Sequence, residues 1–306
     1  MPSLLEARHP TRLSYSALST YANCGEQFRL ERLYGVRGGT YWSTIGGSAF
    51  HVIGEAMALR SLGIDVEQPS FEDAFGAELE KVLQRNGITE DQIIASGRVV
   101  KGGLTPGGGP NKKNRDWWLH YGPQMVSGLA RWLDEDPGKV WIAPTGEPAI
   151  ELLFDIEIAG VPVRGYIDMV REYAGGFLRI VDLKGGNRPM TTEQLGVYSE
   201  AIRQMFDAKA TQGAYWMAQE FLPDPRDPEA PAPKIQWESL VRYTPDYFDA
   251  RFGMARDGID AGVYLANPSN LCGGCSVRDF CRLQGGARAE EVPYREPKRE
   301  MVLACA

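Results

Sequence analysis

Apolar residues in the first third of the chain recur at three- and four-residue intervals, the period of a helix with one buried face. Leu18, Tyr21 and Ala22 follow Ser14 and Ser16, either of which can cap, and predict a helix over 13–24 with Cys24 near its end. The pair Gly46-Gly47 predicts a turn. Ser48 then caps a second helix carrying Phe50, His51, Ile53, Gly54 and Met57, with a third over 71–85. Trp117, Trp118, Met125, Leu129 and Trp132 repeat the helical period further on and predict a core-facing helix. From Glu147 the period changes to two. The runs 149–158, 161–172 and 177–183, parted by Ala159-Gly160 and Ala174-Gly175-Gly176, predict an antiparallel meander. A helix over 192–206, another through Tyr215 and Trp216, a proline-rich loop over 223–233, a strand over 235–243 and a helix over 245–261 complete the pattern, followed by a charged, loosely held tail.

The 306 residues allow one large domain or two modest ones and a core that needs no disulfide framework. The partition expected is a helical region over 1–146, a core over 147–262, a cysteine region over 263–284 and a flexible tail over 285–306. No apolar run reaches the roughly 20 residues of a membrane span, and the first residues lack a basic segment followed by an apolar one. A cytoplasmic protein with no membrane partner is expected, its five cysteines reduced. Thirty-three basic against 40 acidic side chains exclude coating of nucleic acid by bulk charge, but not a local basic surface. The Gly/Pro-rich stretch 97–116 holds Lys101, Lys112, Lys113 and Arg115 and predicts a mobile loop that could supply such a surface. It is not a P-loop, since no Gly-Lys-Ser/Thr follows its glycines.

The strings Gly165-Tyr-Ile-Asp168 and Ile180-Val-Asp182-Leu-Lys184-Gly-Gly place two carboxylates and a lysine on neighbouring strands. Asp182 and Lys184 are two apart and share a strand face, with Asp168 able to lie opposite them. Two carboxylates plus the Leu183 carbonyl form a hard-oxygen set suited to Mg²⁺ or Mn²⁺. The lysine is left to orient a nucleophile or to stabilise charge at a phosphorus centre. An ordinary ion pair on a solvated strand edge is the bland reading of the same residues.

These strings, followed by Gln194-Leu-Gly-Val-Tyr198, resemble the PD-(D/E)XK nuclease superfamily, and specifically its RecB-type exonuclease branch. The resemblance implies an α/β fold with a mixed, restriction-endonuclease-like sheet core flanked by helices, and hydrolysis of DNA phosphodiester bonds at a metal site. It implies that His51, in Gly46-Gly-Ser-Ala-Phe-His51, completes the metal shell. Gln194 and Tyr198, four apart on one helix face, can reach the substrate backbone together, or simply pack and cap. Glu147 and Glu151 are further carboxylates that the resemblance does not fix as ligands.

Cys272, Cys275 and Cys281 have a C-x2-C-x5-C spacing and supply three thiolates, one short of a closed tetrahedral site. Ser16–Phe28 resembles the N-terminal motif of the iron–sulfur members of the same branch, which implies Cys24 as the fourth ligand. Four thiolates hold either a [4Fe-4S] cluster or zinc; spacing does not decide, and the resemblance favours iron–sulfur. Gly25 stands where the family usually has proline, and Cys305 is read as a bystander. The expectation is a metal-dependent DNA exonuclease in recombination, repair or CRISPR adaptation, acting on single strands or duplex ends. A homo-oligomer or a recombination or CRISPR protein partner is compatible with it. The alternative is a non-catalytic iron–sulfur DNA-binding or recombination accessory protein of the same fold.

Overall fold

The structure is a computed structural model and describes residues 5–95, 113–186, 188–222 and 233–294. In chain order its regular elements are α1 (Tyr15–Asn23), α2 (Gly25–Phe28), α3 (Trp42–Ser61), α4 (Phe71–Asn86), α5 (Arg115–Glu135), β1 (Lys139–Val140), β2 (Ile150–Ile158), β3 (Val161–Tyr173), β4 (Phe177–Lys184), α6 (Glu193–Phe206), β5 (Ala210–Met217), β6 (Glu238–Ser239) and α7 (Pro245–Asp260). None of these helices is long and apolar enough to cross a membrane. The sheet runs β1-β3-β4-β5-β6, with β2 also paired to β3. β4 and β5 are parallel, and α6 is the crossover that parallel strands require. The fold is therefore α/β, a mixed sheet flanked by helices.

Three elements differ from the sequence pattern. Tyr215 and Trp216 lie on strand β5, opposite Asp182 and Leu183, rather than on a helix. The strand is buried on both faces, so neither a two- nor a 3.6-residue period marks it. The strand expected over 235–243 is reduced to the Glu238–Ser239 pairing. Helix α3 begins at Trp42, so Gly46 and Gly47 lie inside it and form no turn. Gly46 is there for space, because a Cβ would run into the Trp118 indole.

The described residues fall into two compact units. One holds Gly39–Phe154 and Tyr166–Thr244, and its core joins Phe50, Trp117, Trp118 and Trp216 of two helices and the sheet. The other gathers the residues up to Gly38, Asp155–Gly165 and those from Pro245 onward. In that unit Ser14 caps α1, its Oγ accepting from the Ala17 amide at 3.2 Å. Phe28 stacks on Tyr264, and buried Arg29 holds Glu26 and donates to the Pro293 carbonyl at 3.0 Å. Val292 is buried as well, while Tyr294 is exposed. The Gly25 amide donates to the Leu265 carbonyl at 2.9 Å, and a Cβ on Gly25 would stand 2.7 Å from the Leu265 nitrogen. Proline lacks that N–H and would collide, which is the local reason for glycine here.

Candidate active site

The larger unit brings His51, Glu151, Asp168, Asp182, Lys184, Gln194 and Tyr198 to one end of the sheet. The last paired residues of β3 and β4 are Met169 and Val181, and one step beyond them stand Asp168 and Asp182. The Leu183 amide donates to Asp168 Oδ2 at 2.7 Å and fixes that carboxylate across the strands. His51 projects from α3 with Nδ1 3.6 Å from Asp168 Oδ2 and 3.5 Å from Glu151 Oε1. Glu151 has φ 44°, a left-handed conformation uncommon for glutamate at the start of a strand. Such strain is typical of positions where the surrounding fold dictates a side chain's direction.

His51, Glu151 and Asp168 each offer one donor atom, all within 4.8 Å of one another. Sequence spacing pointed to Asp182 beside Asp168 and left Glu151 open; Glu151 completes this trio, while exposed Glu147 stands outside it. No periodic signal marks Glu151, because its approach depends on how β2 pairs with β3. Asp182 is fully buried. Lys184 Nζ lies 2.6 Å from its Oδ2, an ion pair made away from water, and the Tyr198 hydroxyl also faces this carboxylate.

The electrostatics are those of acids crowded away from water. Burial, then the charge of Asp182, pushes the Asp168 carboxyl up to about 7, against the pull of His51 and Lys184. Burial raises Asp182 too, opposed first by Lys184. For His51 burial works downward, but Glu151, Asp168 and Asp182 outweigh it and raise the imidazole to about 9. A divalent cation would replace these protons and quench the repulsion. Nitrogen from one histidine and oxygen from carboxylates suit Mn²⁺ and, less selectively, Mg²⁺. The three clustered donors, with the buried Asp182 carboxylate beside them, therefore fit such an ion.

On α6, Gln194 donates to the Tyr198 hydroxyl at 2.6 Å. Burial, then the charges of Asp182 and Asp168, push that phenol far above its usual range, so it faces the carboxylates as a neutral donor. Behind the Asp182-Leu-Lys184 strand end, Gln219 donates to the Gly185 carbonyl at 2.6 Å and accepts from Lys113. Lys113 is only 3% exposed, and its amine sits 5.1 Å from the Trp117 ring centroid. Burial lowers its pKa to about 8. This corrects the expectation for Lys113, which is an interior prop; Arg115 opens α5 with its side chain exposed, 3.4 Å from Glu90. Lys101 and Lys112 lie outside the described residues.

The smaller unit holds Cys24, Cys272, Cys275 and Cys281, all half-buried and free of disulfides. The Asn267 amide points at Cys24 Sγ at 3.5 Å and the Ser269 amide at Cys272 Sγ at 3.3 Å. Cys275 accepts from the Val277 backbone. Its thiol is raised by burial, with the Cys24, Glu31 and Cys281 charges adding to the effect. Cys305 lies outside the described residues.

The chain is 29% identical over 286 residues to the Gene 69 protein of Mycobacterium phage D29, with 88% of this chain and 95% of the relative covered. The Gene 69 protein of Mycobacterium phage L5 is 27% identical over 296 residues, with the same coverage. A solved structure from Eubacterium rectale, described as a candidate exonuclease, aligns over 87% of both chains at 13% identity with a TM-score of 0.38. The profile of one nuclease family matches residues 12–282, a span that runs from before α1 to beyond Cys281 and takes in every residue of the carboxylate site. With that match over most of its length, the chain belongs to the PD-(D/E)XK nuclease superfamily.

Proposed function

We propose that this nuclease is a metal-dependent exonuclease that hydrolyses DNA phosphodiester bonds, with residues 147–262 as its catalytic core. The observation that carries this reading is the His51, Glu151 and Asp168 donor trio beside the buried Asp182 and its ion-pair partner Lys184. His51, Asp168 and Glu151 would hold Mg²⁺ or Mn²⁺, with Asp182 and the Leu183 carbonyl as further oxygen donors, and such an ion would supply acidification of water and neutralisation of phosphate charge. Lys184 orients the attacking water and offsets negative charge that builds at phosphorus. Tyr198, held by Gln194, donates a hydrogen bond to a phosphate oxygen.

The four cysteines carry a [4Fe-4S] cluster in this reading. Backbone N–H groups directed at three of the four sulfurs support it, since such donors stabilise ligating thiolates.

The test is incubation of purified protein with end-labelled single- and double-stranded DNA, with Mg²⁺, Mn²⁺ or chelator. Cleavage is expected with either ion and absent with chelator. Asp182→Ala should lower the rate by at least about a hundredfold, while circular dichroism stays unchanged. Wild-type rates in that variant, or in chelator, would refute the assignment.

A further inference from the structure

Beside the donor trio lies an exposed apolar patch that the metal chemistry does not use. Tyr166 is two residues before Asp168 on β3, so the two side chains leave the same strand face about 7 Å apart. Ile167 between them is fully buried, so Tyr166 points away from the side that Ile167 packs on. Tyr166 is 52% exposed and makes no hydrogen bond or ring contact with any described residue. On β2, Leu153 is likewise exposed two positions from a carboxylate, Glu151, with Leu152 buried between them. β2 and β3 are joined by the two-residue turn at Ala159-Gly160, so 151→153 and 168→166 both run towards that turn. Each of these strands thus sets an exposed apolar side chain on the same side of its carboxylate.

We infer that Tyr166, flanked by Leu153, is the stacking platform for an unpaired base whose own phosphate lies at the His51, Glu151, Asp168 trio. This deepens the nuclease reading and rests on it. A nucleotide held there by its phosphate carries its base within a few ångströms, on whichever side offers an apolar surface. The sheet offers one towards the turn. Tyrosine and leucine are neutral, so they take a base without adding to the crowd of carboxylates. A base paired inside a duplex has both faces stacked already and gains little, so the platform selects single strands or frayed ends. Sequence preference should be weak, since every base has a π-face.

The experiment is a cycle of wild type, Tyr166→Ala and Tyr166→Phe against single-stranded oligonucleotides with and without a base at the cleaved nucleotide. Binding is read by fluorescence anisotropy with Ca²⁺, and single-turnover cleavage with Mn²⁺. Tyr166→Ala should lose roughly 5- to 100-fold in affinity for the intact strand, and Tyr166→Phe should match wild type. Removing the base should cost wild type a similar factor and Tyr166→Ala nothing further. The salt dependence of binding should be the same in all three proteins, because no phosphate contact is removed. Multiplicative losses in the cycle, no loss in Tyr166→Ala, or a changed sedimentation coefficient in that variant would overturn the platform while leaving the nuclease intact. If wild type neither binds nor cleaves any strand, the nuclease reading falls first and the platform with it.

Discussion

Asp168 and His51 hold protons at neutral pH that a metal ion would have to displace. Both have folded-state pKa values above the ordinary ones, about 7 for Asp168 and about 9 for His51. The native state therefore binds more protons than the unfolded chain. Their contribution to metal-free stability is complete below the unfolded values and is lost as pH rises through 7 and then 9. A divalent ion reverses the balance, because it binds the deprotonated groups. The rise in melting temperature on adding Mn²⁺ should grow steadily from pH 6 to pH 9, and proton release on binding should be largest at the acid end. Differential scanning calorimetry with and without Mn²⁺, and titration in buffers of different ionisation enthalpy, measure the two quantities. An increment that ignores pH would mean that the ion binds elsewhere. Asp168, Asp182 and Lys184 were legible in the sequence because a strand's period of two fixes which face they share. Glu151 was not, because its place in the trio depends on cross-strand pairing and on a left-handed backbone at the strand's start.

Helix α3 delivers His51, and two adjacent glycines near its start have opposite reasons for being there. Gly46 lies against Trp118, whereas a Cβ on Gly47 would meet nothing within 4 Å. Gly46→Ala must push a fully buried indole aside, an overpacking cost of about 1–3 kcal/mol that outweighs the helical advantage of alanine. Gly47→Ala keeps that advantage, up to about 1 kcal/mol, with no clash. The first should lower the melting temperature by several degrees and the second raise it slightly, as thermal unfolding will measure. Loss of stability in both variants would place the clash in a different register of the helix. The sequence showed this pair only as a turn signal, since glycine's use for close packing cannot be told from its use in a turn without the neighbouring helix. Strand β5 was hidden for a related reason: burial on both faces erases the alternation that marked β2 and β3.

The smaller unit joins the two ends of the chain, and it does so with protein contacts as well as with the cysteines. Arg29 to the Pro293 carbonyl, Gly25 to Leu265 and Ser276 to Glu31 at 2.6 Å all bridge distant segments. A cluster on Cys24, Cys272, Cys275 and Cys281 would add closure of a long loop to these contacts. Anaerobically purified protein should be brown and contain iron and acid-labile sulfide, while zinc alone would leave it colourless. Cys275→Ser should lose the visible absorbance and melt at lower temperature, and Cys305→Ser should change neither. Colour lost in the Cys305 variant, or zinc without iron, would refute the cluster assignment.

The sequence by itself determined the helical first third, the two carboxylate strands, the Gln194 and Tyr198 helix face and the cysteine spacing, all carried by short-range periodicity or by residue types at fixed intervals. The fold class came with the family resemblance that those strings carry. Tertiary structure decided what depends on contacts between segments far apart in the chain. It placed Glu151 beside His51 and buried Lys113 under Gln219, where sequence had suggested a solvent-exposed basic loop. It also made β5 the parallel neighbour of the Asp182 strand. A residue's distance along the chain sets its local geometry, but which side chain shares a site with it is set by the packing of whole elements.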